Sequence, residues 1–157
     1  MERSRKRAHD EYHHGHAGED GENPWREGEG LVEVKRHVVL SLAPCQRAAR
    51  DETTGRWDIS GTISGIIAGE FPAAVILAIY IAIRRGDLDR QQIDIAALSP
   101  TGAIVGSAIV EVTWTTDEIA ELSVAIPLQF ATPGTYTLRL FTQDRILIER
   151  PMDAKAE

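Results

Sequence analysis

Only one cysteine, Cys45, occurs in the chain, so no internal disulfide framework is available. A lone thiol suits a reducing compartment, and the expected localisation is cytoplasmic. Membrane-length apolar runs are also missing. Residues 73–83 carry no charge, but they stop at Arg84-Arg85 and are preceded by Glu70 and Pro72. A spanning helix needs about 18–20 apolar residues, so no membrane association is expected. Arg3, Arg5, Lys6 and Arg7 are followed by no apolar stretch, which argues against a secretory signal. An excess of positive charge is absent as well. The formal net charge is −7, and an acidic body repels phosphate, so nucleic acid is not an expected partner. Finally, no stretch shows a 3.6-residue period, except that Asp117-Glu118 would suit the opening of one helical turn.

Residues 1–30 lack aliphatic side chains almost entirely and hold five glycines among many charges. Such a segment cannot bury enough apolar surface to offset the entropy of ordering, so a disordered tail is expected there. Trp25 is its one large apolar group and the candidate contact with the rest of the chain. From Leu31 onward the sequence consists of short apolar runs broken by Gly, Pro and Asp, and a domain over 31–152 follows, with 153–157 expected to be flexible. Val34–Leu42 would place Val34, Val38, Leu40 and Leu42 on one face and Lys35, His37, Val39 and Ser41 on the other, ending at Pro44. Arg47 to Glu52 then read as a loop. Trp57–Ile67 reads as one strand, with Gly61 and Gly65 marking a bulge or a close backbone approach.

The β-branched run at 73–83 reads as a central strand buried on both faces. Gln91–Leu98 is another strand, followed by a Ser99-Pro100-Thr101-Gly102 turn. In 104–114, Ala108, Val110, Val112 and Trp114 share a face. In 119–130, Ala120, Leu122, Val124, Ile126, Leu128 and Phe130 alternate with Glu121, Ser123 and Gln129, and Pro127 puts that end at an edge or a bulge. A Gln143-Asp144 turn joins the last two strands. Strands without intervening helices cannot form a parallel sheet, and an apolar face needs a second sheet against it. The expected fold is therefore all-β: an antiparallel two-sheet sandwich, immunoglobulin-like with Greek-key connections, of seven or eight strands.

The stretch from His37 to Pro151 resembles a bacterial family of small proteins of unknown function with immunoglobulin-like β-sandwich folds. The resemblance is carried by Trp57-Asp58-Ile59-Ser60-Gly61-Thr62-Ile63, by Phe71-Pro72 before the apolar strand, and by Leu98-Ser99-Pro100-Thr101-Gly102. It closes with 128–140, where an apolar strand leads through Pro133-Gly134 into Tyr136 and Leu138. It implies a fold and no activity, and the tail before Leu31 is an addition to it.

Candidate sites are few. His9, His13, His14 and His16, beside Asp10 and Glu11, form a donor set of the kind that takes zinc, nickel or copper. A flexible tail supplies no outer shell to fix ligands, so adventitious affinity is the better expectation. Cys45 has Arg47 and Arg50 nearby to favour a thiolate, but the one histidine outside the tail, His37, lies at the opposite end of the same strand. The Gly61–Gly65 segment does not match a nucleophile elbow, because no helix follows. Asp87, Asp89 and Asp94, with Asp117 and Glu118 from another loop, would serve calcium only if topology brought them together. No cofactor is expected and no enzyme. The sequence points to a non-enzymatic protein-interaction module or accessory subunit, binding a protein partner or itself. A sugar- or calcium-binding sandwich and a structural subunit of a larger assembly are the alternatives.

Overall fold

The computed structural model describes residues 34–157, so the tail with Trp25 and the four clustered histidines lies outside the described residues. Nine strands follow one another without a helix among the described residues. They are β1 (Val38–Arg50), β2 (Trp57–Thr62), β3 (Gly65–Ala68), β4 (Ala73–Arg84), β5 (Arg90–Leu98), β6 (Ile104–Thr113), β7 (Ile119–Phe130), β8 (Gly134–Thr142) and β9 (Arg145–Ala156). One sheet has the order β2-β1-β4-β7 and the other β3-β9-β8-β5-β6. The expected two-sheet sandwich is therefore present, and no helix is long and apolar enough to cross a membrane.

Alternation builds the core. Odd residues of β4 (Leu77, Ile79, Ile81, Ile83) share their face with Ile126, Leu128 and Phe130 of β7 in the same sheet, and together they pack against Ile93 and Ile95 of β5 and Leu138 and Leu140 of β8 in the other. Each such fully buried aliphatic side chain contributes about 1.5–3 kcal/mol relative to exposure. The inward faces assigned to β6 and β7 match this cluster. β7 is indeed an edge strand, as Pro127 requires.

Several local expectations are corrected. The strand count rises to nine because the segment 57–67 breaks at Ile63-Ser64, leaving β2 in one sheet and sending β3 to the other. Gly65 permits this crossing, since a Cβ there would sit 2.4 Å from the Asp153 carbonyl oxygen. β3 runs parallel to β9, the one parallel pair among the described residues, and needs no helical crossover because most of the domain lies between its two strands. That pairing also holds residues 153–156 in β9, with Ala154 buried, so the flexible C-terminus expected at 153–157 is strand up to Ala156. Asp117-Glu118 opens no helical turn.

β1 departs furthest from its expected form. Its register against β4 shifts between Val39 and Ser41, so Val38 and Leu40 are 48% and 43% exposed while Leu42 joins the core. Pro44 does not end it. Pairing with β4 stops at Cys45 opposite Ala78, and from Cys45 to Arg50 the strand pairs with β2. The β1–β2 hairpin carries Ala48, Trp57 and Ile59 onto Cys45, Tyr80 and Ala82. Tyr80 and Ala82 alternate with the core-facing odd residues of β4, so this cluster lies on the outward face. Trp57 meets Tyr80 edge-on with ring centroids 5.4 Å apart. The Tyr80 hydroxyl donates to Glu121, and burial, followed by that carboxylate, pushes its pKa up to about 12.

Candidate functional site

Titratable and polar side chains gather at the end of the sandwich where β1 begins and where the 85–89 and 143–144 connections meet. The segment before β1 is clamped to the first connection by two reciprocal bonds. The Lys35 amide donates to Asp87 Oδ2 at 2.7 Å, and the Asp87 amide donates to the Lys35 carbonyl at 2.9 Å. Between them sits Gly86, where a Cβ would lie 2.5 Å from the Lys35 oxygen and 2.7 Å from the His37 nitrogen. Only glycine allows so close an approach.

This clamp fixes His37. The Gly86 amide donates to His37 Nδ1 at 2.8 Å, which leaves the proton of the neutral ring on Nε2. The imidazole stacks on Trp114 with centroids 4.5 Å apart and planes 7° from parallel. Trp114 is held in turn by its indole N–H on the Ile83 carbonyl and its amide on the Asp89 carbonyl. Arg145 donates from Nη2 to the His37 carbonyl at 2.9 Å. The residue is 8% exposed, and its Nε2 has no hydrogen-bond partner among the described residues. Burial first, then the Arg145 charge, hold the imidazole below its ordinary value, while the Arg84 backbone and Asp87 act against them.

Beside the ring opens a cavity of about 540 Å³, its wall including Lys35, Arg36, Asp144 and Arg145, with Val34 and Leu88 as exposed apolar members. That volume is in the range of small-molecule sites. A shallower depression bearing Arg84, Arg85 and Glu118 adjoins it through Lys35 and Asp87. Elsewhere, a depression of similar volume lies over Ile76, Val105 and Pro127 and carries no titratable group.

The residues singled out in the sequence fare differently. Cys45 is fully buried inside a strand, its thiol 3.5 Å from the Ala78 carbonyl. Burial pushes the thiol pKa up, so the nearby arginines do not make a thiolate of it. The 117–118 loop does come beside the 85–89 connection, with the Arg85 amide on the Glu118 carbonyl and Asp87 and Glu118 lining one depression, but Asp87 accepts the Lys35 amide, Asp89 pairs with Arg85, and Asp94 lies on β5 opposite Ile109. No group of three or more metal-ligating side chains occurs among the described residues. Tyr80, Tyr136 and Trp114 are buried and Trp57 is half-covered, so they form no exposed aromatic platform for a sugar. His9, His13, His14 and His16 lie outside the described residues. Alternation put His37 on the open face of its strand, Asp144 was read only as part of a turn, and Arg145 was not singled out. One signal did exist: Gly86 directly after two arginines and before an aspartate marks a tight approach.

Two antiparallel sheets packed face to face, with the chain crossing between them and its polar groups gathered at one end, define an immunoglobulin-like β-sandwich domain. Within that class the chain belongs to a family of unknown function, DUF6941, whose model matches residues 40–155. Gly86, Asp87, Trp114 and Arg145 fall inside the matched range, and Lys35 to His37 fall just before it. No curated protein matches the chain. Among solved structures it is similar to an immunoglobulin-like protein from Pseudomonas aeruginosa, at 12% identity and a TM-score of 0.40 over 78% of this chain and 99% of that one. It is also similar to part of a glycosyl hydrolase family 2 member from Bacteroides cellulosilyticus, at 12% identity and a TM-score of 0.42 over 52% of this chain. The match spans only 12% of that hydrolase.

Proposed function

We propose that this domain is a non-enzymatic binding module, an accessory domain that holds a small molecule in the cavity at its His37 end. The observation that carries this reading is the cavity of about 540 Å³ itself, walled by the clamped His37 and by Lys35, Arg36 and Arg145, none of which forms an ion pair among the described residues. The same geometry speaks against catalysis. Nδ1 is occupied by the Gly86 amide, so it is not free to act as a base, and the only thiol is buried in another cluster. The pure protein-contact role expected from sequence is less well supported, because strand addition at β1 meets carbonyls already taken by Arg145, Arg150 and Ile63.

Protein-observed NMR of the full chain against a library of small polar and apolar fragments tests this. Shifts should cluster at His37, Leu88 and Arg145. Clustering over Ile76 and Pro127, or turnover of any fragment, would overturn the reading.

A further inference from the structure

The outward face of β4 is apolar along its whole length, but only half of it is covered. Ala74, Ile76, Ala78, Tyr80 and Ala82 share this face, and the register with β7 sets Gln129, Pro127 and Ala125 beside the first three. Strand β1 leaves β4 at Ala78 to pair with β2, and the resulting hairpin packs over Tyr80 and Ala82. At the other end of β4 from His37, Ala74, Ile76, Ala125, Pro127 and Gln129 are all exposed, with no cover among the described residues. Ile76 is 76% exposed. Beside it lies the depression of about 540 Å³ whose wall includes Val105 and Pro127, and none of the side chains lining it is titratable.

We propose that this half-face joins two copies of the chain in an isologous dimer, each Ile76 seated in the depression of the other copy. Charge, shape and backbone favour that occupant. A chain of formal charge −7 repels its own kind, and this surface lets two copies meet without bringing carboxylates together. A projecting side chain next to a hollow is self-complementary under a two-fold axis, which fills both hollows at once and closes at two copies. Pro127 lacks an N–H on the edge strand β7, so continuous strand pairing is blocked there and the copies meet through side chains. The contact lies away from the His37 cavity and does not depend on the ligand reading.

Sedimentation velocity of the full chain, from about 10 μM to about 1 mM, tests this, since so small a patch belongs to the weak class of interface. A monomer–dimer equilibrium should appear within that range. Raising NaCl from about 0.05 to about 0.5 M should tighten it severalfold, because salt screens the repulsion between acidic bodies and spares an apolar contact. Ile76→Asp changes an exposed side chain, so it keeps the fold, and it enters the contact twice. It should weaken the dimer roughly a hundredfold or more, and Gln129→Glu roughly tenfold. Ile146→Asp, 52% exposed at the His37 end, should leave association unchanged. Amide exchange at Ala74–Ile76 and Leu128–Gln129 should slow as concentration rises. A monomer at every concentration overturns the proposal, as does a dimer that salt dissociates. Association that both Ile76→Asp and Gln129→Glu leave intact, or that slows exchange only elsewhere, overturns it equally.

Discussion

The charge state of His37 follows from its three neighbours. Its Nδ1 accepts from Gly86, its face is covered by Trp114, and its carbonyl carries the Arg145 guanidinium. A second ring proton would have to displace the Gly86 N–H and take a positive charge close to another one. The folded-state pKa is therefore lowered from the ordinary 6.5. Between the folded and unfolded values the unfolded chain binds more protons, so stability rises with pH there. The contribution is fully present above about pH 6.5 and drains away as pH falls below it, at no more than about 1.4 kcal/mol per pH unit. Urea unfolding at pH 7.5, 6.5, 5.5 and 4.5 should show this loss in the parent protein. His37→Gln keeps an acceptor for Gly86 but does not titrate, so its profile should be flatter between pH 6.5 and 5.5. Parallel profiles would show that the ring is not held as described.

At the scale of elements, the sandwich closes its two open sides by different means. On one side β6 and β7 come together where Gly106 faces Pro127 and Leu128. A Cβ at position 106 would lie 2.4 Å from the Pro127 oxygen and from a Leu128 methyl. On the other side β1 has no strand beside its first half, and side chains from β9 take its carbonyls instead: Arg145 the one of His37, and Arg150 the one of Leu42 at 2.7 Å. The register shift at Val39/Ser41 lets these two carbonyls, an odd number of residues apart, face the same way. Gly106→Ala should cost about 1–3 kcal/mol through overpacking, and Arg150→Met a similar amount by orphaning the Leu42 carbonyl. The two residues share no partner, so the double variant should lose the sum to within about 0.5 kcal/mol in denaturant unfolding. A strongly coupled pair would mean that the sides are not independent. The alternation of β6 and β7 was legible in sequence because β6 from Gly106 to Thr113 and the whole of β7 keep an unbroken register with their neighbours and are half-buried. The face of β1 was not, since one bulge puts His37, Val38, Val39 and Leu40 out of phase with Leu42 and nothing in Val38–Leu42 marks it. His37 was lost with it, and so was the centre of the site.

For the whole molecule, the two sheets are tied by segments that look like ends or loops in sequence. β3 leaves the β2 side of the first sheet and adds to β9, placing Ile66 against the core. Its four residues pair only with 153–156, so the last residues of β9 hold an early strand in place. Local reading could not find this, because a parallel pair between distant segments has no sequence period of its own, and Met152-Asp153-Ala154-Lys155 is polar enough to pass for a frayed end. Removing 153–157 should strip β3 of its partner, take the buried Ala154 out of the core and loosen Ile66. Stability should fall by at least about 2 kcal/mol, given about 0.8 kcal/mol per methylene returned to water. Amide exchange at Gly65–Ala68 should accelerate well before that of β4 or β8, because the loss is local first. An unchanged unfolding midpoint with unchanged exchange at 65–68 would mean that these residues are a dispensable tail and that β3 is held by something else.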